Sequence, residues 1–502
     1  MTHKKKTARR EEVEKKNNTL RLNYKALYSI LFICAIILRV TLSFLNPPFN
    51  AFDNHFEPIV MIAESGVIPA KDACFQCYHP PAFYWSSAMV GNFAHAIGFK
   101  TNKILKIIQF LSCFYGILTL AVLFLILRKL PLSEFSRLLA FGIACFLPRH
   151  IFMSAMNSND SMSYLFVALS IYFLILALEK KLPEWLVLGL SVVLTITFFT
   201  KYTAFVVLPI IFVVFALMYY KQMIPRKKVV LSFCLVLFLP MSLLSYSVYF
   251  NIKTYGSPLP WNVKMVDPSL IQPRDQTTFD FFTFKPWDSL STPSLVPGKM
   301  HSYWTIIYSG MWVDNDPKFI FYLDSNHSWW EQYYAWLYGK SKSFPGENPS
   351  TTMLTKLTNA SLVTLGLIPM ALMFIGLYTW LIGIRQTRLE NMNLDSIKIS
   401  IFPILLLFNA VGMILIAIRL PVHSAAKASY FLNSLSAFAV FFSLGIMRYE
   451  KNEKFKQAIV TVTCGSRTLT ARTAPMNALQ VKHMLCGRAS RADRHKRLLR
   501  PT

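Results

Sequence analysis

Runs of about 20 apolar residues recur along the chain, and each is long enough to cross a bilayer as an α-helix. Only 15% of the 502 residues are charged and 54% are hydrophobic, whereas soluble proteins carry about 25% charged residues. This pattern excludes a soluble enzyme, a disordered chain and a disulfide-rich secreted domain. We predict an all-α polytopic membrane protein with about ten transmembrane helices, near residues 25–45, 104–127, 138–155, 161–178, 185–200, 204–220, 229–250, 357–382, 399–418 and 428–447.

Basic residues are distributed unevenly between the two sides of these predicted helices. The short loops on one side hold 12 Lys or Arg, and those on the other side hold three. Cytoplasmic loops carry the excess of Lys and Arg, so we expect the first set and both termini in the cytoplasm. The first set comprises loops 128–137, 179–184, 221–228 and 383–398, and the second comprises 156–160, 201–203 and 419–427.

This topology places two long loops on the extracytoplasmic side. The segment Ala82–Gly98 within the first is apolar but short, and we predict an interfacial or re-entrant helix there. The net charge of +27 comes without a nucleic-acid-recognition motif, so we expect contacts with membrane lipids and none with nucleic acid. The predicted parts are a basic N-terminus (1–24), a membrane core (25–250) with its outer loop (46–103), a Trp- and Pro-rich outer loop (251–356), C-terminal transmembrane helices (357–447) and a basic tail (448–502).

Acidic residues are scarce, and two groups of them lie at the outer ends of predicted helices. Asp53 and Glu57 follow the first helix, and Asp160 follows the third. The lowered dielectric at a membrane surface suits a carboxylate to act as a general base. A solvated turn or a helix cap is the alternative interpretation for Asp53 and Asp160.

A few basic residues lie on the same predicted side as these acids. Charge beside or within the membrane is costly and indicates function, although a single such residue can also extend its charge toward lipid headgroups. Together these residues could bind an anionic lipid phosphate. They are Arg39, Arg149, Lys201, Arg419 and Lys427.

A cysteine pair lies in the first outer loop, at Cys74 and Cys77, with His79 two residues further on. Outside the cytoplasm a disulfide is the leading interpretation. The three side chains could instead supply zinc ligands, although no second cysteine pair is close in sequence. A thioredoxin-like redox role is the third alternative.

The order and sidedness of these motifs resemble the GT-C glycosyltransferases, which are polytopic enzymes that use polyprenyl-phosphate sugars. The similarity is greatest to their protein O-mannosyltransferase and aminoarabinose-transferase branch. His79 stands where the aminoarabinose branch often has Lys. The matching motifs are Asp53-Asn54-His55-Phe56-Glu57, Glu64-Ser65-Gly66, Pro69, His79-Pro80-Pro81, Asn159-Asp160, Thr200-Lys201 and Lys427-Ala428-Ser429-Tyr430.

The resemblance implies an inverting transfer of a sugar from a polyprenyl-phosphate donor to a hydroxyl of a protein, lipid or glycan on the extracytoplasmic side. In that scheme Asp53 is the base, Glu57 is a weaker alternative, and Asp160 orients the acceptor or holds a cation in place. No cofactor is required, although a divalent cation is possible. Donor-phosphate binding falls to Lys201 and His79 first, supported by Arg39, Arg149, Arg419 and Lys427.

We expect a bacterial inner membrane with a periplasmic site, and an endoplasmic reticulum membrane is the alternative. A transporter or flippase of a lipid-linked or anionic substrate is the rival class, because it would also place charges within helices. Internal repeats and charges at the membrane midplane are typical of transporters. Neither is evident in this sequence.

Overall fold

The computed structural model describes residues 23–46, 48, 55–260, 262, 278–285, 302–313, 353–386, 392–419, 427–450 and 452. Every regular element in these ranges is helical. Residue 53, most of the second long loop and most of the basic tail lie outside the described residues.

The described residues of the N-terminal half form ten α-helices and two 3₁₀-helices. The 3₁₀-helices are Phe75–Tyr78 and Tyr202–Val206. The α-helices are α1 (Tyr24–Leu45), α2 (Phe56–Ser65), α3 (Ala82–Ala96), α4 (Thr101–Arg128), α5 (Glu134–Cys145), α6 (Pro148–Ser154), α7 (Asn159–Glu179), α8 (Glu184–Thr200), α9 (Val207–Lys221) and α10 (Arg226–Tyr255).

The described residues of the C-terminal half form fewer elements. A 3₁₀-helix spans Ala428–Ser434 and leads directly into the last helix. The α-helices are α11 (Thr278–Phe282), α12 (Tyr303–Trp312), α13 (Met353–Gln386), α14 (Leu394–Arg419) and α15 (Leu435–Tyr449).

Helices occupy all ten segments predicted to cross the membrane. Within the described residues, eight are long and apolar enough to cross by length and composition, or nine if the bent pair α5–α6 is one span. Helix α8 is apolar but has only 17 residues. The prediction of an all-α polytopic membrane protein is confirmed, whereas the count of ten depends on how α8 and the bent pair are treated.

The segment 138–155, predicted as one helix, is divided between α5 and α6. The two helices meet at a bend of 50°. Pro148 occupies the first turn of α6, where a residue without an N–H is tolerated. The same proline prevents α5 from continuing into α6 as one regular helix. After the bend, α6 ends at Ser154, five residues before α7 begins at Asn159.

Helix α7 lies at the centre of the membrane core and packs against α4 and α8. Its residues Ile171, Leu174 and Ile175 are fully buried. A helix that is apolar on all sides is covered by lipid or by other parts of the protein, and here the protein itself covers most of α7. Because α7 is enclosed in this way, a charged residue placed on it must be paired or hydrogen-bonded.

Helix α3 occupies the segment expected to be interfacial or re-entrant. It has 15 residues, so it is about 22 Å long and too short to cross a bilayer. Phe83 and Tyr84 are buried, whereas Trp85, Met89 and Phe93 expose 50%, 54% and 68% of their surface. One face of α3 therefore packs on the protein and the other presents an apolar stripe.

Candidate functional site

A buried ion pair joins the beginning of α7 to the end of α8. The ammonium nitrogen Nζ of Lys201 lies 2.7 Å from Oδ1 of Asp160. Asp160 is 1% exposed and Lys201 3%. Removing two charges from water costs several kcal/mol for each ion, so an enclosed pair of this kind is a candidate functional site.

Local structure explains how the chain presents Asp160. Ser158 is the N-cap of α7, and its hydroxyl oxygen accepts a hydrogen bond from the backbone N–H of Asp160 at 3.2 Å. The same hydroxyl donates to Oδ2 of Asp160 at 3.2 Å. A carboxylate in the first turn is also favoured by the helix dipole. Both carboxylate oxygens of Asp160 therefore have partners.

Lys201 lies where α8 ends and the chain becomes extended. Its φ of −160° and ψ of 142° separate α8 from the 3₁₀-helix Tyr202–Val206. The Nζ atom also lies 4.8 Å from the centre of the Tyr430 ring, which gives a cation–π contact. The pair thus lies between the α7–α8 core and the 3₁₀-helix Ala428–Ser434.

His79 follows a short, cross-linked 3₁₀-helix. Cys74 and Cys77 form a disulfide across that helix, with their Cα atoms 5.0 Å apart. Oxidised cysteines do not supply thiolate ligands, so the zinc interpretation does not fit this state of the pair. No group of three His, Cys, Asp or Glu side chains in the described ranges is placed to hold a metal ion.

Lys71 fixes the backbone around His79. Its Nζ donates to the carbonyl oxygens of Tyr78 at 3.2 Å and His79 at 2.9 Å. Burial lowers the pKa of Lys71 to about 8. The hydroxyl of Tyr202, next to Lys201, donates to the carbonyl oxygen of Tyr78 at 3.2 Å. The segment carrying His79 is therefore attached to the residue that follows Lys201.

His55 connects the outer loop to the ion pair. Its ring is 1% exposed. The Nδ1 atom lies 2.9 Å from the Tyr84 hydroxyl and Nε2 lies 3.5 Å from the Ser158 hydroxyl. The rings of His55 and His79 are stacked, with centroids 6.1 Å apart. His55, Tyr84 and Ser158 were not predicted as site residues.

Arg39 and Arg149, both predicted to support phosphate binding, are buried. The guanidinium of Arg39 donates to the carbonyl oxygen of Cys145 at 2.9 Å and lies 2.7 Å from Nδ1 of His150. These contacts join α1 to the α5–α6 bend. Arg149 and Asp160 both lie close enough to the Tyr164 hydroxyl to act on it electrostatically. Phosphate binding by either arginine stays a prediction.

The remaining predicted residues are distributed more widely. Asp53 lies outside the described residues. Glu57 is exposed in the first turn of α2, and Arg419 is exposed at the end of α14. Lys427 is half-buried and precedes the 3₁₀-helix that carries Tyr430. The described structure therefore brings together Asp160, Lys201 and, through shared neighbours, His79.

An apolar groove begins beside Lys201. It lies between α9 with its preceding 3₁₀-helix and α14, and has a volume of about 450 Å³. Phe212 and Phe408 at its wall are 49% and 42% exposed. The wall includes Tyr202, Phe205, Pro209, Phe212, Phe408 and Met413. An apolar chain attached to a charged group near Lys201 would fit this arrangement.

Comparison with known proteins bears on the same part of the chain. Residues 78–246 match the family model described as dolichyl-phosphate-mannose-protein mannosyltransferase. The matched segment includes His79, Asp160 and Lys201. This match confirms the predicted resemblance to GT-C glycosyltransferases that use polyprenyl-phosphate substrates. No curated protein sequence matches the chain.

Solved structures with a similar arrangement include the oligosaccharyltransferase AglB from Archaeoglobus fulgidus, in complex with an inhibitory peptide and a dolichol-phosphate. The two chains are 12% identical, with a TM-score of 0.46. The matched region covers 92% of this chain and 54% of AglB. For ArnT from Cupriavidus metallidurans in the apo state, the identity is 12%, the TM-score 0.34 and the coverage 86% and 80%. The chain thus spans about half the length of the archaeal enzyme.

Proposed function

We propose that the protein is an integral-membrane glycosyltransferase that moves a sugar from a polyprenyl-phosphate donor to an acceptor hydroxyl. The observation that carries the proposal is the buried pair of Asp160 and Lys201 within the segment that matches the mannosyltransferase family model. The description of that family makes mannose the first sugar to test and a protein the first acceptor. Lipid and glycan hydroxyls are the other acceptors.

The donor would bind with its phosphate near Lys201 and His79 and its polyprenyl chain in the groove between α9 and α14. Lys201 supplies a positive charge and directly precedes Tyr202, which lines that groove. As the bond between the sugar and the phosphate breaks, negative charge grows on the leaving phosphate. Fixed cations in a site of low dielectric stabilise such charge, and this chemistry does not depend on a metal ion.

The transfer itself would be a displacement at the anomeric carbon. The acceptor oxygen forms a bond to that carbon while the bond to the phosphate oxygen breaks, which inverts the configuration. A carboxylate takes the proton from the acceptor hydroxyl, and we assign that task to Asp53. Asp160 holds Lys201 in position and helps to orient the acceptor. Glu57, which is exposed on α2, is the weaker alternative base.

The charge distribution supports an extracytoplasmic position for the proposed site. The loops that carry Asp160 and Lys201 are poor in Lys and Arg, whereas those at the opposite helix ends are rich in them. By the positive-inside rule, the site then faces the periplasm of a bacterial inner membrane, with the endoplasmic reticulum lumen as the alternative. Both termini would be cytoplasmic.

The test is sugar transfer by purified protein in lipid vesicles, with labelled polyprenyl-phosphate mannose and a peptide rich in Ser and Thr. We expect the Asp53→Asn variant to lose about a hundredfold or more in rate. Asp72→Asn is the matched control, because Asp72 is an exposed carboxylate of the same outer loop. Near-normal transfer by a folded Asp53→Asn variant would remove Asp53 as the base.

The same preparation separates the enzyme from a transporter. An enzyme releases polyprenyl phosphate and forms a glycosylated acceptor in detergent, where there are no separate compartments. Movement of an intact labelled substrate across sealed vesicles, without product in detergent, would contradict the proposed activity.

A further inference from the structure

His55 belongs to a row of five hydrogen-bonded, buried polar groups that ends at the ion pair. The order of groups is Tyr84 hydroxyl, His55 ring, Ser158 hydroxyl, Asp160 carboxylate and Lys201 ammonium. All five residues are at most 3% exposed. They come from α3, the residue before α2, the N-cap of α7, its first turn and the end of α8.

The donors and acceptors available at Ser158 determine which group donates each hydrogen bond in this row. The Ser158 hydroxyl donates its proton to Oδ2 of Asp160 and accepts the backbone N–H of the same residue. A hydroxyl has one proton and two lone pairs, so its remaining capacity toward His55 is as an acceptor. The Nε2 atom of His55 must therefore carry the proton that faces Ser158.

The other ring nitrogen of His55 is then determined as well. In a neutral imidazole with a proton on Nε2, Nδ1 is an acceptor. The Tyr84 hydroxyl, 2.9 Å away, donates to it. The hydroxyl of Tyr84 thus donates to His55, His55 donates to Ser158, and Ser158 donates to Asp160. The neighbouring rings hold the His55 plane, since the Phe83 and His79 ring centroids lie 6.3 and 6.1 Å away.

We propose that His55 is a positioning residue, which fixes Asp160 through Ser158, and that Tyr84 selects the ring tautomer that lets it do so. Lys201 binds one carboxylate oxygen of Asp160 and the Ser158 hydroxyl binds the other. A hydrogen bond from His55 restricts rotation of that hydroxyl. The consequence for catalysis rests on the proposed transferase function, whereas the hydrogen-bonded linkage does not.

Two substitutions of His55 distinguish its two ring nitrogens. The amide nitrogen of a glutamine side chain can occupy the position of Nε2, and that of asparagine the position of Nδ1. We therefore expect His55→Gln to retain transfer within about threefold of wild type and His55→Asn to lose about tenfold in kcat. The KM for the donor should change less than kcat, because His55 does not itself contact the phosphate in the proposed scheme.

Tyr84→Phe removes the proposed tautomer selector and keeps the ring. We expect a loss of about three- to tenfold in kcat in the wild-type background, and none in the His55→Gln background. His95→Gln, on the exposed end of α3, should have wild-type activity. Equal losses in His55→Gln and His55→Asn, or equal Tyr84→Phe losses in both backgrounds, would overturn the proposal.

A second measurement is independent of activity. Thermal unfolding midpoints of wild type, Tyr84→Phe, Ser158→Ala and the double variant form a cycle between two residues that both contact His55. We expect the double variant to unfold several degrees above the additive value. An additive result would refute the linkage even if transfer is absent, whereas non-additivity with no transfer would refute only the proposed function.

Discussion

The two ends of helix α7 each carry an acidic residue paired with lysine, and the two pairs differ sharply in their surroundings. Asp160 at the beginning of α7 and its partner Lys201 have side chains 1% and 4% exposed. Glu179 at the end of α7 and its partner Lys129 have side chains 21% and 35% exposed. The two ends are roughly 30 Å apart, close to the hydrocarbon thickness of a bilayer.

The pair at the Glu179 end belongs to a network that joins helix ends. Lys398 at the beginning of α14 lies 3.3 Å from Glu179 and 2.7 Å from Asp395, and it donates to the carbonyl oxygen of Lys129 at 2.8 Å. Its contacts connect the ends of α4 and α7 to α14. Lys398 itself is buried, but its partners Glu179 and Asp395 have side chains 21% and 50% exposed. Pairs with a solvated acid contribute little free energy, and a structural role accounts for them.

The pair at the Asp160 end also joins two helices, but both of its side chains are buried. It is enclosed by aromatic and polar side chains, and an apolar pair of similar volume would stabilise a core at least as well. Burial of both partners, and not the presence of an ion pair, distinguishes the candidate site from the charged residues at the opposite membrane boundary.

The largest expected difference between the two ends of α7 is in the rate of sugar transfer after the acid at each end is neutralised. We expect Asp160→Asn to lower the rate of sugar transfer by about 100- to 1,000-fold, because Lys201 then lacks the partner that positions it. Glu179→Gln should stay within about threefold of wild type. The measurement is initial transfer rate in detergent at saturating donor. Equal losses in both variants would remove the functional distinction between the two ends.

Stability gives a second difference between the ends, measured as the free energy of unfolding in mixed micelles. Lys201→Met leaves the Asp160 carboxylate buried and unpaired, which should cost about 3–5 kcal/mol. Lys129→Met should cost at most about 1 kcal/mol. The double variant Asp160→Asn/Lys201→Met is the control and should recover part of the loss. A double variant as unstable as the sum of the single variants would show that the two groups are not coupled.

Hydropathy made the helices predictable, because a helix that crosses a bilayer needs a long apolar segment whatever its neighbours are. Asp160 and Lys201 were predictable for a related reason, since charge beside an apolar helix is costly and stands out in the sequence. The break between α5 and α6 was not predicted, because the apolar run continues through Pro148.

His55, Ser158 and Tyr84 could not be identified in the same way. They are ordinary polar residues, and the contacts that define them join positions 29 and 103 residues apart. Ser158 alone carries a local signal, as an N-cap residue two positions before Asp160. The Arg39 contact with His150, across 111 residues, also depends on tertiary packing, which a single sequence does not specify.

The disulfide beside the Asp160 end tests how firmly that end is held. Replacing Cys74 and Cys77 by serine removes a cross-link across three residues, and the chain-entropy relation gives a loss of about 2 kcal/mol for so short a loop. We expect lowered thermal stability and a smaller loss of activity than for Asp160→Asn. Cys113→Ser is the control for cysteine replacement, because Cys113 is buried and forms no disulfide. An unchanged unfolding midpoint in the double serine variant would show that the cross-link does not stabilise this segment.

Lys71 provides the smallest expected effect, a pH dependence confined to the Asp160 end. Burial lowers the pKa of Lys71 in the folded protein from the ordinary 10.5 to about 8, so between these values the unfolded chain binds more protons than the folded one. The contribution of Lys71 to stability should therefore increase as the pH rises from about 8 to 10.5, by about 1 kcal/mol once partial exposure is allowed for. Unfolding midpoints of wild type and Lys71→Met across this range, with Lys129→Met as the control from the Glu179 end, measure it. The stability of wild type relative to Lys71→Met should increase across this range, whereas its stability relative to Lys129→Met should not. A difference between wild type and Lys71→Met that stays constant with pH would contradict the prediction.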